Sequence, residues 1–226
     1  MTNIENLDTL KFKLIVVGDQ NTGKSCILNR FANNTFQENY QATIGLDFQT
    51  IPLIIDNQNV ALLLYDTAGQ EKFRSLIPLY TKDANIILLI YDITNDESFR
   101  NIEKWYESLS NINKEEAIIF LVGNKIDLVE QRKVNEDEAK IFAEGHNYIF
   151  QEVSALTGDG IQELFLNKLL SQIRTQLLYK GKIVVDQEEE QLKFNLKGNK
   201  EKNKKSQKCC SCIYNLIDNI YKLFKL

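Results

Sequence analysis

Two glycines, a lysine and a hydroxyl stand at fixed spacing in Gly18-Asp19-Gln20-Asn21-Thr22-Gly23-Lys24-Ser25, a pattern suited to gripping phosphate. The glycines permit the bend that turns successive backbone N–H groups toward anionic oxygen, and a helix starting at Lys24 would add its positive end. Asp19, Gln20, Asn21, Thr22, Gly23, Lys24, Ser25 and Cys26 are the expected phosphate-binding set. Within it, Lys24 would reach the β- and γ-phosphates and the Ser25 hydroxyl would hold Mg2+. The competing reading is a simple glycine turn with a solvated lysine. It fits poorly with eight placed positions lying between a strand pattern, Phe12–Val17, and a helical one.

The choice of base rests on Asn124-Lys125-Ile126-Asp127. A carboxylate at Asp127 can accept from the guanine ring N–H and from the exocyclic amine. Adenine lacks that donor pair and would leave a buried carboxylate unpaired, at roughly 1–3 kcal/mol or more. Asn124 can bond the base and brace neighbouring loops, while the Lys125 stem covers the ring. Such a tetrapeptide is weak evidence alone. At the end of a strand pattern, about 100 residues past the phosphate loop, it points to GTP and GDP. Ser154-Ala155, followed by Leu156, would bring a backbone N–H to the guanine O6. Phe36 could stack on the base edge or be a plain core aromatic.

Asp66-Thr67-Ala68-Gly69-Gln70 ends a further strand pattern, Val60–Tyr65. At a strand's C-terminal end Asp66 can hold Mg2+ through water. The Gly69 N–H is suited to the γ-phosphate. Gln70 would orient the attacking water, because a neutral amide is too weak a base to deprotonate it. Thr43 would lend its hydroxyl to Mg2+ only while the third phosphate is present; a surface loop threonine is its alternative. Lys24, Gly69 and Gln70 thus form the expected catalytic set, and Ser25, Thr43 and Asp66 the metal set. The reaction is hydrolysis of GTP to GDP and phosphate, driven by positioning and electrostatics. Residues 37–47 and 67–82 would relax when the third phosphate leaves. No arginine is evident to stabilise the transition state in cis, so unassisted turnover should be slow.

The elements that must position these residues are legible as apolar runs. Phe12–Val17, Val60–Tyr65, Ile86–Tyr91 and Ile118–Gly123 read as strands, the last three nearly continuous, as in a parallel sheet covered on both faces. Leu46–Ile55 reads as a strand joined to Val60–Tyr65 by a turn at Asp56-Asn57-Gln58-Asn59. Helical patterns cover Lys24–Asn33, Asp96–Asn111, Glu136–Glu144 and Ile161–Leu177, with Phe99, Ile102, Trp105, Tyr106 and Leu109 on one buried face. A strand near Tyr148–Glu152 completes about six. The expected fold is an α/β three-layer sandwich of the P-loop NTPase type, its sheet mostly parallel with one antiparallel edge strand.

The 226 residues suit one domain and a tail: an extension over 1–10, a domain over 11–177 and a flexible segment over 178–226. Net charge is −4, which disfavours nucleic acid as a partner. From Leu178 onward, 11 lysines stand against 6 acidic residues, so the tail carries +5 and the remainder about −9. Lys193–Lys208 alone holds seven lysines among polar residues. No signal-peptide pattern or long apolar run is visible, and Cys26 stands apart from Cys209, Cys210 and Cys212, so a reducing cytosolic setting is expected. The single histidine, His146, lies in a polar stretch, which argues against histidine-based nucleophilic or metal chemistry.

Lys11 to Leu177 resembles a Ras-superfamily GTPase. Ile44-Gly45-Leu46-Asp47-Phe48, Gly69-Gln70-Glu71-Lys72-Phe73-Arg74-Ser75-Leu76 and Tyr91-Asp92-Ile93-Thr94 resemble Rab signatures. Tyr40-Gln41-Ala42-Thr43-Ile44-Gly45 and Arg74-Ser75-Leu76-Ile77-Pro78 look most like the Golgi-associated Rab subgroup. The resemblance implies a monomeric switch in vesicle traffic, on the cytoplasmic face of intracellular membranes with a cytosolic pool. It implies an exchange factor, a GTPase-activating protein, a GDP-dissociation inhibitor or escort protein, and effectors that read Phe48, Tyr65 and Tyr80. Core packing is the rival role for those aromatics. Tyr65 departs from the family's usual tryptophan, Leu156 from its lysine, and Gln20 matches the Golgi subgroup. Rabs end at or near two prenylated cysteines, whereas Cys209-Cys210-Ser211-Cys212 is followed by fourteen residues and no C-a-a-X ending. Ile213, Leu216, Ile217, Ile220, Leu223 and Phe224 fall on one helical face. That segment would span about 21 Å against a hydrocarbon core of roughly 30 Å. It could lie in a membrane interface beside acylated cysteines and the basic patch, or bind a partner. A GTP-binding scaffold that scarcely hydrolyses and a P-loop kinase or ATPase are the rival classes. Gln70 and Thr43 speak against the first, and the guanine-type tetrapeptide against the second.

Overall fold

In this computed structural model the described residues are 9–36, 46–67, 83–109 and 116–183. Six strands form one sheet: β1 (Leu10–Val17), β2 (Leu46–Ile55), β3 (Gln58–Thr67), β4 (Ile86–Asp92), β5 (Ile118–Asn124) and β6 (Ile149–Val153), in the order β2-β3-β1-β4-β5-β6. β1 runs parallel to β3 and β4, and the β4–β5 and β5–β6 pairs are parallel too. Only the edge strand β2 is antiparallel, pairing with β3 from Leu46↔Thr67 to Ile55↔Gln58. The expected α/β sandwich with one antiparallel edge strand is the fold observed. The chain divides after Lys180 into two units, and every element named here belongs to the first.

The continuous apolar runs have the anticipated cause. Every residue of β4 and β5 is buried, because both faces of these central strands are covered. On one face Ile15, Val17, Ile87, Leu89 and Leu121 pack with Phe99, Ile102 and Trp105. The alternating residues Leu14, Val16, Leu88 and Phe120 are equally buried and point to the opposite layer. On the helical side, Phe31 lies flat on Phe165, with ring centroids 4.0 Å apart.

Helix α1 spans Lys24–Asn33 and ends on Asn34, whose left-handed backbone (φ 51) returns its N–H to Arg30 O at 3.1 Å. Three expectations need correction. The β2–β3 turn is the two residues Asp56 and Asn57, both at positive φ, and Gln58 and Asn59 already pair with Ile55 and Ile54. The helix expected over Asp96–Asn111 is two short ones, α2 (Asp96–Arg100) and α3 (Ile102–Glu107), joined at Asn101. The helix expected over Ile161–Leu177 contains a π-helical segment, Glu163–Leu169, before α5 (Leu170–Tyr179). Helix α4 (Glu136–Gly145) is capped by Asn135, whose side chain accepts from Asp137 N.

Candidate nucleotide site

β1 emerges between β3 and β4, the place in an α/β sheet where the connections diverge and ligands bind. The phosphate loop starts there, at Gly18. A Cβ on Gly18 would lie 2.1 Å from Ile90 O, and one on Gly23 (φ +89) would lie 2.2 Å from Asn124 Nδ2. Neither position admits a side chain, so the glycine spacing is a packing requirement set by β4 and Asn124. Inside the loop, Thr22 Oγ1 donates to Asp19 O at 3.0 Å. Gln20 and Asn21 are exposed, and Asn21 stands at φ 63.

Lys24 is 5% exposed, and its Nζ donates to Gly18 O at 3.0 Å and Asp19 O at 2.7 Å. Burial pushes its ammonium down to about 8, against the opposing pull of Asp66 and Asp19. A desolvated cation at the first turn of a helix, beside a backbone cradle, is what a bound polyphosphate requires. Ser25 Oγ donates to Asp66 Oδ2 at 2.5 Å, so two of the expected metal ligands adjoin. An oxygen-only pair of this kind fits a hard divalent cation such as Mg2+. Cys26 follows with a half-buried thiol, pushed up by burial. Thr43, Gly69, Gln70 and Cys209, Cys210 and Cys212 lie outside the described residues.

The base-side residues converge at the ends of β5 and β6. Asn124 is buried and joins two loops: its Nδ2 donates to Thr22 O at 2.8 Å, and its Oδ1 accepts from Ala155 N at 3.1 Å. Ser154 Oγ donates to Asp127 Oδ1 at 2.5 Å, which orients the carboxylate. Lys125 stands at φ 72, and its Nζ pairs with Asp92 Oδ2 at 2.6 Å. Leu156 follows in the same turn and is exposed, while Phe36 lies half-buried beyond α1. Phosphate loop and base loops are thus one connected set.

Three supporting contacts were not foreseen. Asp92 also accepts from Thr94 N and Thr94 Oγ1, both at 2.8 Å, so it anchors the start of one loop while holding Lys125. Its place at the end of a strand, in the same crevice as Asp66, was the available signal. Asp19 turns its carboxylate to α3 and the α2–α3 junction, accepting from Trp105 Nε1 at 2.6 Å and Asn101 Nδ2 at 2.8 Å. Arg30 donates through Nε to Ala155 O at 2.9 Å and through Nη2 to Leu156 O at 2.6 Å. No sequence signal joins residues 125 positions apart.

Fold and phosphate loop define a P-loop nucleoside triphosphatase. Residues 13–175 match the Ras family. The Ras-related protein Rab-1 of Theileria parva is 44% identical over 155 residues, 68% of this chain and 70% of that protein. Rab11A of Lotus japonicus is 42% identical over 158 residues, 70% of each chain. Rab-4 of Dictyostelium discoideum is 39% identical over 154 residues, 68% of this chain and 75% of that protein. The chain belongs to the Ras family and within it is a Rab-type small GTPase, a GTP hydrolase.

Proposed function

We propose that this chain is a Rab-type switch in vesicle traffic at Golgi membranes, using the residues set out above. The observation that carries the nucleotide reading is Asn124, whose one amide binds both the phosphate loop at Thr22 and the base loop at Ala155. The phosphate loop cradles the β- and γ-phosphates, with Lys24 against them, and Asp127 accepts from guanine. When bound, Mg2+ supplies positive charge against the phosphate oxygens, with Ser25, Asp66 and Thr43 as its holders. The Gly69 N–H holds the γ-phosphate, and Gln70 aligns water for attack on it. Loss of that phosphate releases Thr43 and Gly69, and with them the surface that effectors read.

Phe48 supports the effector role. It is 58% exposed on β2, 5.7 Å from the Tyr65 ring, so core packing does not account for it. The Golgi assignment rests on the likeness of residues 40–45 and 74–78 to that subgroup. Membrane attachment rests on Cys209, Cys210 and Cys212 beside the lysine-rich run. An exchange factor, an activating protein and an inhibitor or escort protein complete the cycle.

Displacement of a fluorescent GDP from the full chain tests the core of this reading. GDP and GTP should compete at equal concentration, ATP should not, and single-turnover hydrolysis should run on the order of 10⁻⁴ s⁻¹. Equal competition by ATP would remove the guanine reading. Expression of the full chain beside a Cys209/Cys210/Cys212→Ser version, with membrane fractionation and tail mass, tests the attachment. An unmodified soluble tail would remove it.

A further inference from the structure

We infer that Arg30 is a specificity-positioning residue: from the far end of α1 it aims the Leu156 backbone N–H at the O6 position of a bound guanine. The inference rests on the guanine reading above. Arg30 grips two successive carbonyls, Ala155 O and Leu156 O, with two arms of one guanidinium. A third arm, Nη1, donates to Asn34 O at 3.1 Å, which ties the same group to the end of its own helix. The planar fork matches two acceptors at fixed spacing in a way that a lysine's single ammonium cannot.

A trans peptide sets the carbonyl of one residue and the N–H of the next on opposite sides. With Ala155 O held toward Arg30, the Leu156 N–H must point away from α1. The neighbouring amides are already used. Ser154 N donates to Asp159 O at 2.9 Å, Ala155 N to Asn124 Oδ1 at 3.1 Å, Thr157 N to Ser154 Oγ at 3.1 Å and Gly158 N to Ser154 O at 2.8 Å. Asp159 N reaches Thr157 Oγ1 at 3.3 Å. Among the described residues, the Leu156 N–H is the one amide of Ser154–Asp159 that makes no hydrogen bond. It sits in the turn that also holds Asp127 through Ser154. A donor left over beside the carboxylate that reads the guanine N–H groups suits an acceptor oxygen on the same edge of the base.

The contact has a further consequence. Lys24 and Ser25 begin α1 and Arg30 lies in its last turn, so one helix fixes both the phosphate end and the O6 end of the site.

The test is binding of GDP, IDP and 6-thio-GDP to the full chain and to its Arg30→Ala and Arg30→Lys variants. IDP keeps O6 and lacks the exocyclic amine; 6-thio-GDP keeps the amine and carries a sulfur, a poor acceptor, in place of O6. Arg30→Ala should weaken GDP and IDP alike, by about fivefold to tenfold, as expected for one misaligned hydrogen bond. It should affect 6-thio-GDP much less, so the preference for GDP over 6-thio-GDP shrinks while that for GDP over IDP stays. Arg30→Lys, which keeps charge and helix, should fall between the two chains. An equal loss for all three nucleotides in either variant would overturn the inference and leave the guanine reading intact, marking Arg30 as purely structural. A wild-type chain that binds ADP as well as GDP would overturn both.

Discussion

Replacing Trp105 by Phe tests whether α3 holds the phosphate loop through Asp19. The indole N–H reaches Asp19 Oδ1 at 2.6 Å, a hydrogen bond to a charged acceptor and therefore about 1.5–3 kcal/mol. Trp105 is 1% exposed, so Phe also leaves a void, adding about 1–2 kcal/mol at roughly 24 cal/mol per Å3. The single substitution cannot separate these effects. A double-mutant cycle with Asp19→Ala does, because the void cancels and the pairwise coupling remains. The expected coupling is about 1.5–3 kcal/mol, from guanidinium unfolding of the four chains at the same free GDP and Mg2+. Circular dichroism must follow the transition, since Trp105 is the only tryptophan in the chain. Coupling below about 0.5 kcal/mol would show that the indole merely fills space. The same cycle read as GDP release should accelerate in both single variants, with no further acceleration from the coupled bond in the double one.

Three other predictions concern Asn124 and Lys24 in the site and Arg174 outside it. Asn124→Ala leaves Thr22 O and the Ala155 N–H without their partner at about 1–3 kcal/mol each, so GDP release should quicken by about two orders of magnitude in a chase experiment; less than tenfold would refute the bracing role. Lys24 is held down to about 8 before an anion arrives, and a bound phosphate must raise it again. GDP affinity should therefore decline from pH 7 to 9, with proton uptake on binding above pH 8 in calorimetry, and a flat profile would refute it. In the folded chain that lowered value also means the unfolded state binds more protons between about 8 and 10.5, so this group makes stability rise with pH across that window. Arg174→Ala breaks an exposed ion pair to Asp56, so melting should shift by no more than about 1 kcal/mol in stability terms.

Much of this architecture was readable because local chemistry and tertiary demand agree. Helix α1 begins and ends where the pattern places it, since the glycine loop sets its start and Asn34 its end. β4 and β5 announce themselves by unbroken apolar runs. The failures fall where a distant partner decides. The break at Asn101 is one: its side chain reaches Asp19, 82 residues away, and nothing in a 3.6-residue period marks that. The hairpin is the exception, a local miss: polar Gln58 and Asn59 look like turn residues, yet they already pair with Ile55 and Ile54 just across the turn. In the site, the residues that would touch nucleotide came from motifs, whereas Arg30, Asp92 and Trp105 act on those motifs through contacts only the fold creates. Motif spacing records what binds. It records only part of what holds the binder, Asn124 among the motif residues but not Arg30 or Trp105.

That division bears on how such a switch works. The base-reading part of the site, Asn124 with Asp127 and the Ser154 turn, would meet features that GDP and GTP share, while Lys24 would reach the γ-phosphate as well as the β-phosphate. A ligand shifts a conformational equilibrium only by the difference in its affinity for the two states. The bracing by Asn124, Arg30 and Asp19 therefore cannot itself be the switch. It serves to keep either nucleotide bound long enough for the state to be read. Discrimination must come from groups that sense the third phosphate alone, which in the proposed reading are Thr43 and Gly69. Substitutions among the braces should then change GDP and GTP release by the same factor, while Thr43→Ala should weaken effector binding in the GTP state and leave GDP release unaltered. A brace variant that slowed release of one nucleotide and quickened the other would contradict this separation of holding from reading.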